Sequence, residues 1–414
     1  MLPDRAKVLI VGGGVIGLTL ARELSSAGQG DIVVLEKEDE LGRHASGRNS
    51  GVLHAGIYYA PDSLKARSCL AGNRLMRAYC KERGIAVREA GKVIVARVEA
   101  EQPTLEELHR RASANGARVE FVDERQLADI EPSARTVGKA LFSRDTAVVD
   151  PKVVLSALRA DLEATGRVRI VTSCRFTGLA KPSTAETSLG PIAFQRFVNA
   201  GGAHCDRIAR VFGLARDLRL IPFKGIYRKL RKGAAFPVNG NIYPVPDIRN
   251  PFLGVHFTCS AAGDVYLGPT AIPALGRENY GLFSGMDASA LGIVVADAVL
   301  FFKNPAFRSV ALTEPRKYLP AYFYRDAAQL VRSFDPSLFE RAAKVGIRPQ
   351  LVDWNTKQLI MDFRVEAADG SVHVLNPISP AFTSSMDLAR TIAREHFGVR
   401  AAGVSAPEAR PPPS

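Results

Sequence analysis

Residues 7–36 read KVLIVGGGVIGLTLARELSSAGQGDIVVLE. Lys7 to Val11 is an apolar, β-branched run of the kind found in a strand buried on both faces. Gly12, Gly14 and Gly17 follow in G-x-G-x-x-G spacing, and apolar residues then recur at helical period from Val15 to Ser26. Asp31 to Glu36 is a second apolar strand that ends in an acid. A glycine pattern by itself is a weak signal, but strand, turn, helix and acid-terminated strand together make a dinucleotide-binding unit. Gly12 permits the tight turn, Gly14 lets the backbone approach a pyrophosphate, and Gly17 allows close packing of helix on strand. The helix start at Val15 and Ile16 offers free N–H groups to that pyrophosphate. Glu36 lies 19 residues past Gly17 and suits the ribose hydroxyls, with Lys37 beside it.

The pattern alone does not separate NAD from FAD; the next segment does. Gly42 to Tyr59, GRHASGRNSGVLHAGIYY, is polar and glycine-rich, and lacks the periodicity of an ordinary helix. It resembles the loop that wraps the flavin in the D-amino-acid-oxidase-like superfamily. RNSGVLHAGIYY is most similar to the L-2-hydroxyglutarate dehydrogenase/oxidase family. IPFKGIY, GIRPQLVD and HVLNPISPAFTSS further along carry the same likeness, which extends from Lys7 to about Phe397.

That resemblance implies an α/β, doubly layered flavoprotein: a Rossmann-like FAD-binding domain with an inserted antiparallel, β-rich substrate domain. The expected FAD-binding part is discontinuous, at 1–85, 145–220 and 342–400. The cap is expected at 86–144 and 221–341, and 401–414 is expected to be a disordered tail. The resemblance implies FAD contacts from Ser46, Arg48, Asn49, Ser50, Gly51 and Val52 in the wrapping loop. Asn199 and Gly201, in the FVNAGG turn, would approach the flavin end from the other side. Gly346 and Arg348 would add contacts, as would Ser379, Pro380, Ala381 and Thr383 in the closing segment, where a helix N-terminus can stabilise negative charge.

The implied reaction is oxidation of an L-2-hydroxy acid, with L-2-hydroxyglutarate going to 2-oxoglutarate. It needs an acceptor for the hydroxyl proton, a cation for carboxylate, and a hydride facing the flavin. Of the histidines, His44, His109, His204 and His396 are set aside by position. His54 lies in the HAGIYY segment, His256 in the roofing strand GVHFT, and His373 in the closing segment. Arg348 is the expected carboxylate fork, with Lys65 and Lys224 next, and Tyr58, Tyr59, Tyr227 and Tyr243 are candidate hydroxyl donors, aromatic packing fitting Tyr59 least. An amine or amino-acid oxidase on the same fold, or a flavin binder without turnover, are the competing readings.

The chain has 414 residues, 46% hydrophobic and 23% charged, enough for a full core in two interleaved parts. Five cysteines without a CxxC pair argue for a reducing compartment and against structural zinc, and no metal site is expected. A first strand beginning by Lys7 leaves no room for a signal peptide. The expected location is therefore cytoplasmic, with peripheral contact at the inner face of a membrane as an alternative. A net charge of +13 admits an anionic membrane, nucleic acid or a dianionic substrate as partner. Nucleic acid is not expected, since no basic block is interleaved with aromatics. The electron acceptor, whether oxygen, quinone or a soluble carrier, has no motif. Residues 87–97 read as strand, 178–194 as an irregular stretch, 286–302 as a packed helix, 323–341 as an amphipathic helix and 346–376 as short strands.

Overall fold

The computed structural model describes residues 1–248 and 252–399; the expected tail at 401–414 lies outside them. Strand β1 (Arg5–Val11), helix α1 (Val15–Ser26) and strand β2 (Ile32–Leu35) form the opening βαβ unit. β1 pairs in parallel with β2 on one side and with Ile192–Asn199 on the other. Val168–Val171 extends the parallel array beyond β2, and Ser371–Leu375 extends it beyond Ile192–Asn199. The sheet is therefore assembled from both ends of the chain.

Its two faces are covered separately. On one, the helices Val15–Ser26, Leu64–Glu82, Pro151–Ala164 and Ala381–Phe397 bury Leu18, Leu20, Leu158 and Leu388 completely. On the other, Phe194, Phe197 and Ile208 pack with Leu9 and Val33. Each such side chain contributes about 1.5–3 kcal/mol on full burial, so the sheet is a rigid floor. β1 can be this apolar because neither face meets water.

The second sheet is mainly antiparallel. Leu218–Leu230 pairs along its whole length with Phe339–Asp353. The sheet continues through Val265–Gly268, His256–Cys259, Asn241–Pro244 and Lys92–Val95 to Ala140–Ser143 and Val119–Val122. Lys92–Val95 joins in parallel with Asn241–Pro244, so the early segment 86–144 and the later one 221–341 share one sheet.

Several local expectations are corrected. Residues 178–194 are largely strand: Phe176–Lys181 and Thr184–Thr187 form a hairpin with two register shifts, turned at Ser183 with φ of 58°. Residues 87–97 split into Val87–Arg88 and Lys92–Val95, in different sheets. The helix expected over 323–341 covers only Pro320–Ala328. Beyond it Phe334 and Phe339 leave helical geometry to pack with Phe236 and Phe257. The expected short strands after Gly346 begin instead as the long strand Phe339–Asp353, so the boundary placed at 342 falls inside an element of the second sheet. The apolar run 286–302 is not a packed helix: in Ala290–Lys303 only Ile293 and Leu300 are buried, while Leu291 and Phe302 are each 75% exposed.

Candidate active site

A cavity of about 810 Å³ lies between the two sheets, at the carboxyl ends of β1 and β2. This is where a doubly wound sheet presents its ligand crevice. One end is built from glycine. Gly12 has φ of 115°, and a Cβ there would lie 2.3 Å from the Ala200 carbonyl oxygen. A Cβ on Gly17 would lie 2.0 Å from the Gly12 carbonyl oxygen. These two glycines let backbone meet backbone. Gly14 differs: the nearest atom to its would-be Cβ is Ser46 Oγ at 3.0 Å, and the residue faces the cavity. Val15 N–H, at the start of α1, donates to the same Ser46 Oγ at 3.0 Å.

Glu36 ends β2 with its carboxylate fixed by Gly13 N–H at 3.1 Å and Glu38 N–H at 3.0 Å. Lys37 reaches Glu38, His44 Nε2 at 2.8 Å and Glu278 at 2.8 Å. Glu278 also lies 2.8 Å from His204 Nε2, and these partners hold its carboxyl well below the usual range. Tyr280 meets His44 Nδ1 at 2.7 Å and stacks under the Arg48 guanidinium at 4.1 Å. Arg277 forks onto the buried Asp206. Residues 277–280 thus tie the second sheet's side across the mouth of the nucleotide end.

Asn49 shapes the wrapping loop: its Oδ1 accepts from Gly51 N–H at 2.8 Å and its Nδ2 donates to the Ser46 carbonyl at 2.7 Å. Ser50 and Val52 line the cavity beside it. Gly201 lines it from the opposite side, and Asn199 acts from behind, accepting from Gly201 N–H at 3.1 Å. Ser379, Pro380 and Ala381 lead into the C-terminal helix at the cavity wall. Thr383 accepts from His54 N–H at 3.1 Å and donates to the Val52 carbonyl, locking the two segments together. Gly346 also lines the wall. Three expected contact residues, Gly17, Gly51 and Asn199, shape the backbone without lining the cavity.

The fit to FAD rests on the side-chain-free Gly14, the helix start at Val15 and Ile16 where Ser46 Oγ already accepts from Val15 N–H, and the fixed Glu36 carboxylate, all of which line the cavity. Around these the wrapping loop and closing segment complete the cavity wall.

The other end of the cavity is aromatic and basic. Arg348 is half-buried in the cavity wall, donates to the Thr270 carbonyl at 3.0 Å, and lies over Phe252. Among the described residues no carboxylate forms an ion pair with it. His256 stacks on Tyr243 with ring centroids 3.7 Å apart. Its Nδ1 lies 2.8 Å from the Gly254 carbonyl oxygen, which can only accept. Nδ1 therefore carries the proton and Nε2 keeps the lone pair. Burial, with Arg348 and Lys92 adding positive charge, pushes the imidazole down to about 3. His54 is also held well below its ordinary value by burial, and its Nδ1 has no partner among the described residues. Tyr59 lines the same end, with its hydroxyl beside Ser379 and burial raising its pKa. Lys65 lines it too, and burial pushes its ammonium down to about 8.

Lys224 is corrected. It points to the opposite face of its strand from Gly225, and its ammonium donates to Asn279 Oδ1 at 2.8 Å and to the Gly281 carbonyl. It anchors the 277–281 segment and does not line the cavity. His373 is a structural histidine, bonded to Asn199 through Nδ1 and to Ser371 through Nε2. The sequence reading missed the 277–280 tie, whose RENY residues match no motif, and Lys92. Its only signal for Lys92 was a charge at the head of an apolar strand.

A family model described as FAD dependent oxidoreductase, DAO, matches residues 7–395. The human mitochondrial L-2-hydroxyglutarate dehydrogenase is 34% identical over 413 residues, covering 94% of this chain and 88% of that protein. The L-2-hydroxyglutarate dehydrogenase of Indibacter alkaliphilus is 32% identical, covering 93% and 97%. Among solved structures, FAD-bound L-alpha-glycerophosphate oxidase from Mycoplasma pneumoniae superposes with a TM-score of 0.75 at 23% identity, covering 95% and 94%. Glycine oxidase from Geobacillus kaustophilus gives 0.72 at 20% identity, covering 98% of each. At such identities these structures speak to the fold alone.

Proposed function

From the premise that this chain belongs to the FAD-dependent oxidoreductases, and within them to the L-2-hydroxyglutarate dehydrogenase family, we propose that it oxidises L-2-hydroxyglutarate to 2-oxoglutarate. The observation that carries the reading is the shared wall of Arg348 and His256, at the end of the cavity away from the glycine turn. Arg348 is a half-buried guanidinium on the cavity wall, with its NH1 held by the Thr270 carbonyl and no ion-pair partner among the described residues, and it would take a substrate carboxylate. Gly254 holds His256 in the tautomer whose Nε2 can accept the hydroxyl proton. Bound FAD supplies the two-electron acceptor for the hydride that leaves C2. As the O–H proton passes to Nε2 and C2–H is lost, the C2–O bond becomes a carbonyl. The imidazolium formed beside Arg348 is disfavoured in the empty cavity; the substrate's two negative charges offset that and make the transfer depend on correct binding. Tyr59 and Lys65, which line the same end, would orient the second carboxylate.

The test is anaerobic addition of candidate acids to the yellow holoenzyme. Bleaching of the flavin band by L-2-hydroxyglutarate, and not by amino acids or glycine, supports the reading. Bleaching by amines alone moves the chain to the amine-oxidase class, and no bleaching by either removes turnover.

We also infer that the protein works against an anionic membrane surface. No single helix among the described residues is long and apolar enough to cross a bilayer. The exposed side chains Phe283, Leu291, Val295 and Phe302 nevertheless leave an apolar face on the 283–302 segment, with exposed Lys303 and Arg308 next to it. Apolar insertion flanked by basic residues is the chemistry of interfacial helices. Sedimentation with phosphatidylglycerol vesicles should carry the protein down, phosphatidylcholine vesicles should not, and Leu291→Glu with Phe302→Glu should abolish it. Parent protein that stays in the supernatant with both would overturn the assignment.

A further inference from the structure

Lys92 heads the strand Lys92–Val95 and is buried in the wall behind the substrate end of the cavity. Its ammonium lies 4.5 Å from the ring centroid of Tyr58 and 5.0 Å from that of Tyr243. Among the described residues it has no hydrogen-bond partner, and the Tyr58 hydroxyl and His54 Nδ1 nearby are orphaned in the same way. Both tyrosines line the cavity, and Lys92 stands directly behind them. A buried ammonium without a hydrogen bond is expensive, and two aromatic faces recover only part of the loss. An aliphatic residue would fill this strand position more stably.

The groups around it are all neutral or cationic. Tyr58 and His54 face it from the segment after Val52–Leu53, and Cys69 from the helix Leu64–Glu82. Tyr243 and His256 face it from neighbouring strands. Lys65 stands beyond Cys69, and Arg348 beyond His256. The cavity's acids, Glu36, Glu278 and Asp287, belong to the nucleotide end. At the substrate end Asp362 acts on Lys65 and Glu314 on Arg348, whereas no carboxylate acts on Lys92 among the described residues.

We propose that Lys92 is a positioning residue for the dianionic substrate, taking up a proton from solvent as the dicarboxylate enters and returning it when product leaves. The role rests on the 2-hydroxyglutarate reading above and deepens it. Burial without a counter-charge pushes Lys92 down to about 7, so at pH 8 the empty site holds mostly the neutral amine. Two carboxylates in front of Tyr58 and Tyr243 favour the ammonium form, and the proton follows. Only an amine can make this exchange; a guanidinium stays charged throughout. His256 lies too low to share much of the uptake.

The experiment is calorimetric titration of holoenzyme with 2-oxoglutarate at pH 8, in phosphate and in Tris, whose ionisation enthalpies differ. The parent should take up roughly half to one proton per ligand bound. Lys92→Met should lose more than half of that uptake and bind more weakly. Lys92→Arg should lose the same uptake while keeping most of the affinity, and it covers the case in which the methionine variant folds poorly. Lys65→Met reports the share of the other lysine. Variants at position 92 that bind with the parent's proton count overturn the role of Lys92 alone. Parent holoenzyme that gives no binding heat overturns the substrate reading, and this role with it.

Discussion

At the scale of single residues, three glycines spaced within one motif carry different loads. Gly17 has no room for a Cβ, which would sit 2.0 Å from backbone, whereas Gly14 has only the Ser46 hydroxyl at 3.0 Å. Gly17→Ala should therefore lower the melting temperature of flavin-free protein. Gly14→Val should leave it near the parent's and yield colourless protein, read as the ratio of 450 to 280 nm absorbance. A folded Gly14→Val variant with full flavin would remove the pyrophosphate assignment. The clamp and base are separable in the same way. Arg348→Lys keeps a charge but loses the fork, and a desolvated charge pair is worth roughly 2–5 kcal/mol. Its kcat/KM for L-2-hydroxyglutarate should fall more than tenfold. His256→Asn should lower turnover about 10²–10⁴-fold with flavin retained and residual activity rising with pH. If His54→Asn shows that loss and His256→Asn does not, the base is His54.

At the scale of elements, the helix Ala290–Lys303 is the unusual one. Asp297 on it has a buried Oδ1 without a partner among the described residues, and burial raises its carboxyl to about 7. The sign is fixed by linkage: the fold prefers the protonated form. Stability from this group is full below the unfolded carboxylate value and is lost as pH rises through about 7. Asp297→Asn should match the parent near pH 4. At pH 8 it should be more stable, by roughly 1–3 kcal/mol, the usual cost of an unsatisfied buried group. Denaturant melts at the two pH values check this, and equal gains at both would show that the group does not titrate with folding.

At the scale of the whole molecule, the net charge of +13 surrounds a cavity whose reactive end is itself basic. Such a field draws a dianion inward, and exposed charges are screened over about 10 Å at 0.1 M ionic strength. The apparent second-order rate with L-2-hydroxyglutarate should fall several-fold between about 0.02 and about 0.5 M salt, while turnover at saturation stays level. A flat response would leave the charge to the membrane-facing surface. The 277–280 tie also belongs to this scale, since Arg277, Glu278 and Tyr280 each reach a different element of the first domain.

The βαβ unit was legible because its signals are local: an apolar run, glycine spacing, helical period and a terminal acid all sit within residues 7–36. The cofactor class and family followed from short segments that keep their order in the chain. Arg348 and His256 were named from motifs, but that they share one wall depends on two strands meeting through Leu218–Leu230 and Val265–Gly268. Only tertiary structure turned Lys224 onto Asn279, since strand alternation sends both neighbours of the cavity-lining Gly225 to the opposite face. The expected helix over 323–341 failed for a related reason: its apolar period suits a helix, but Phe334 and Phe339 gain more from the aromatic cluster with Phe236 and Phe257. Lys92 was invisible in sequence because one charge at the head of a strand reads as a solvated end. Its burial comes from Tyr58 and Tyr243, which lie 34 and 151 residues away along the chain and meet only when the second sheet closes.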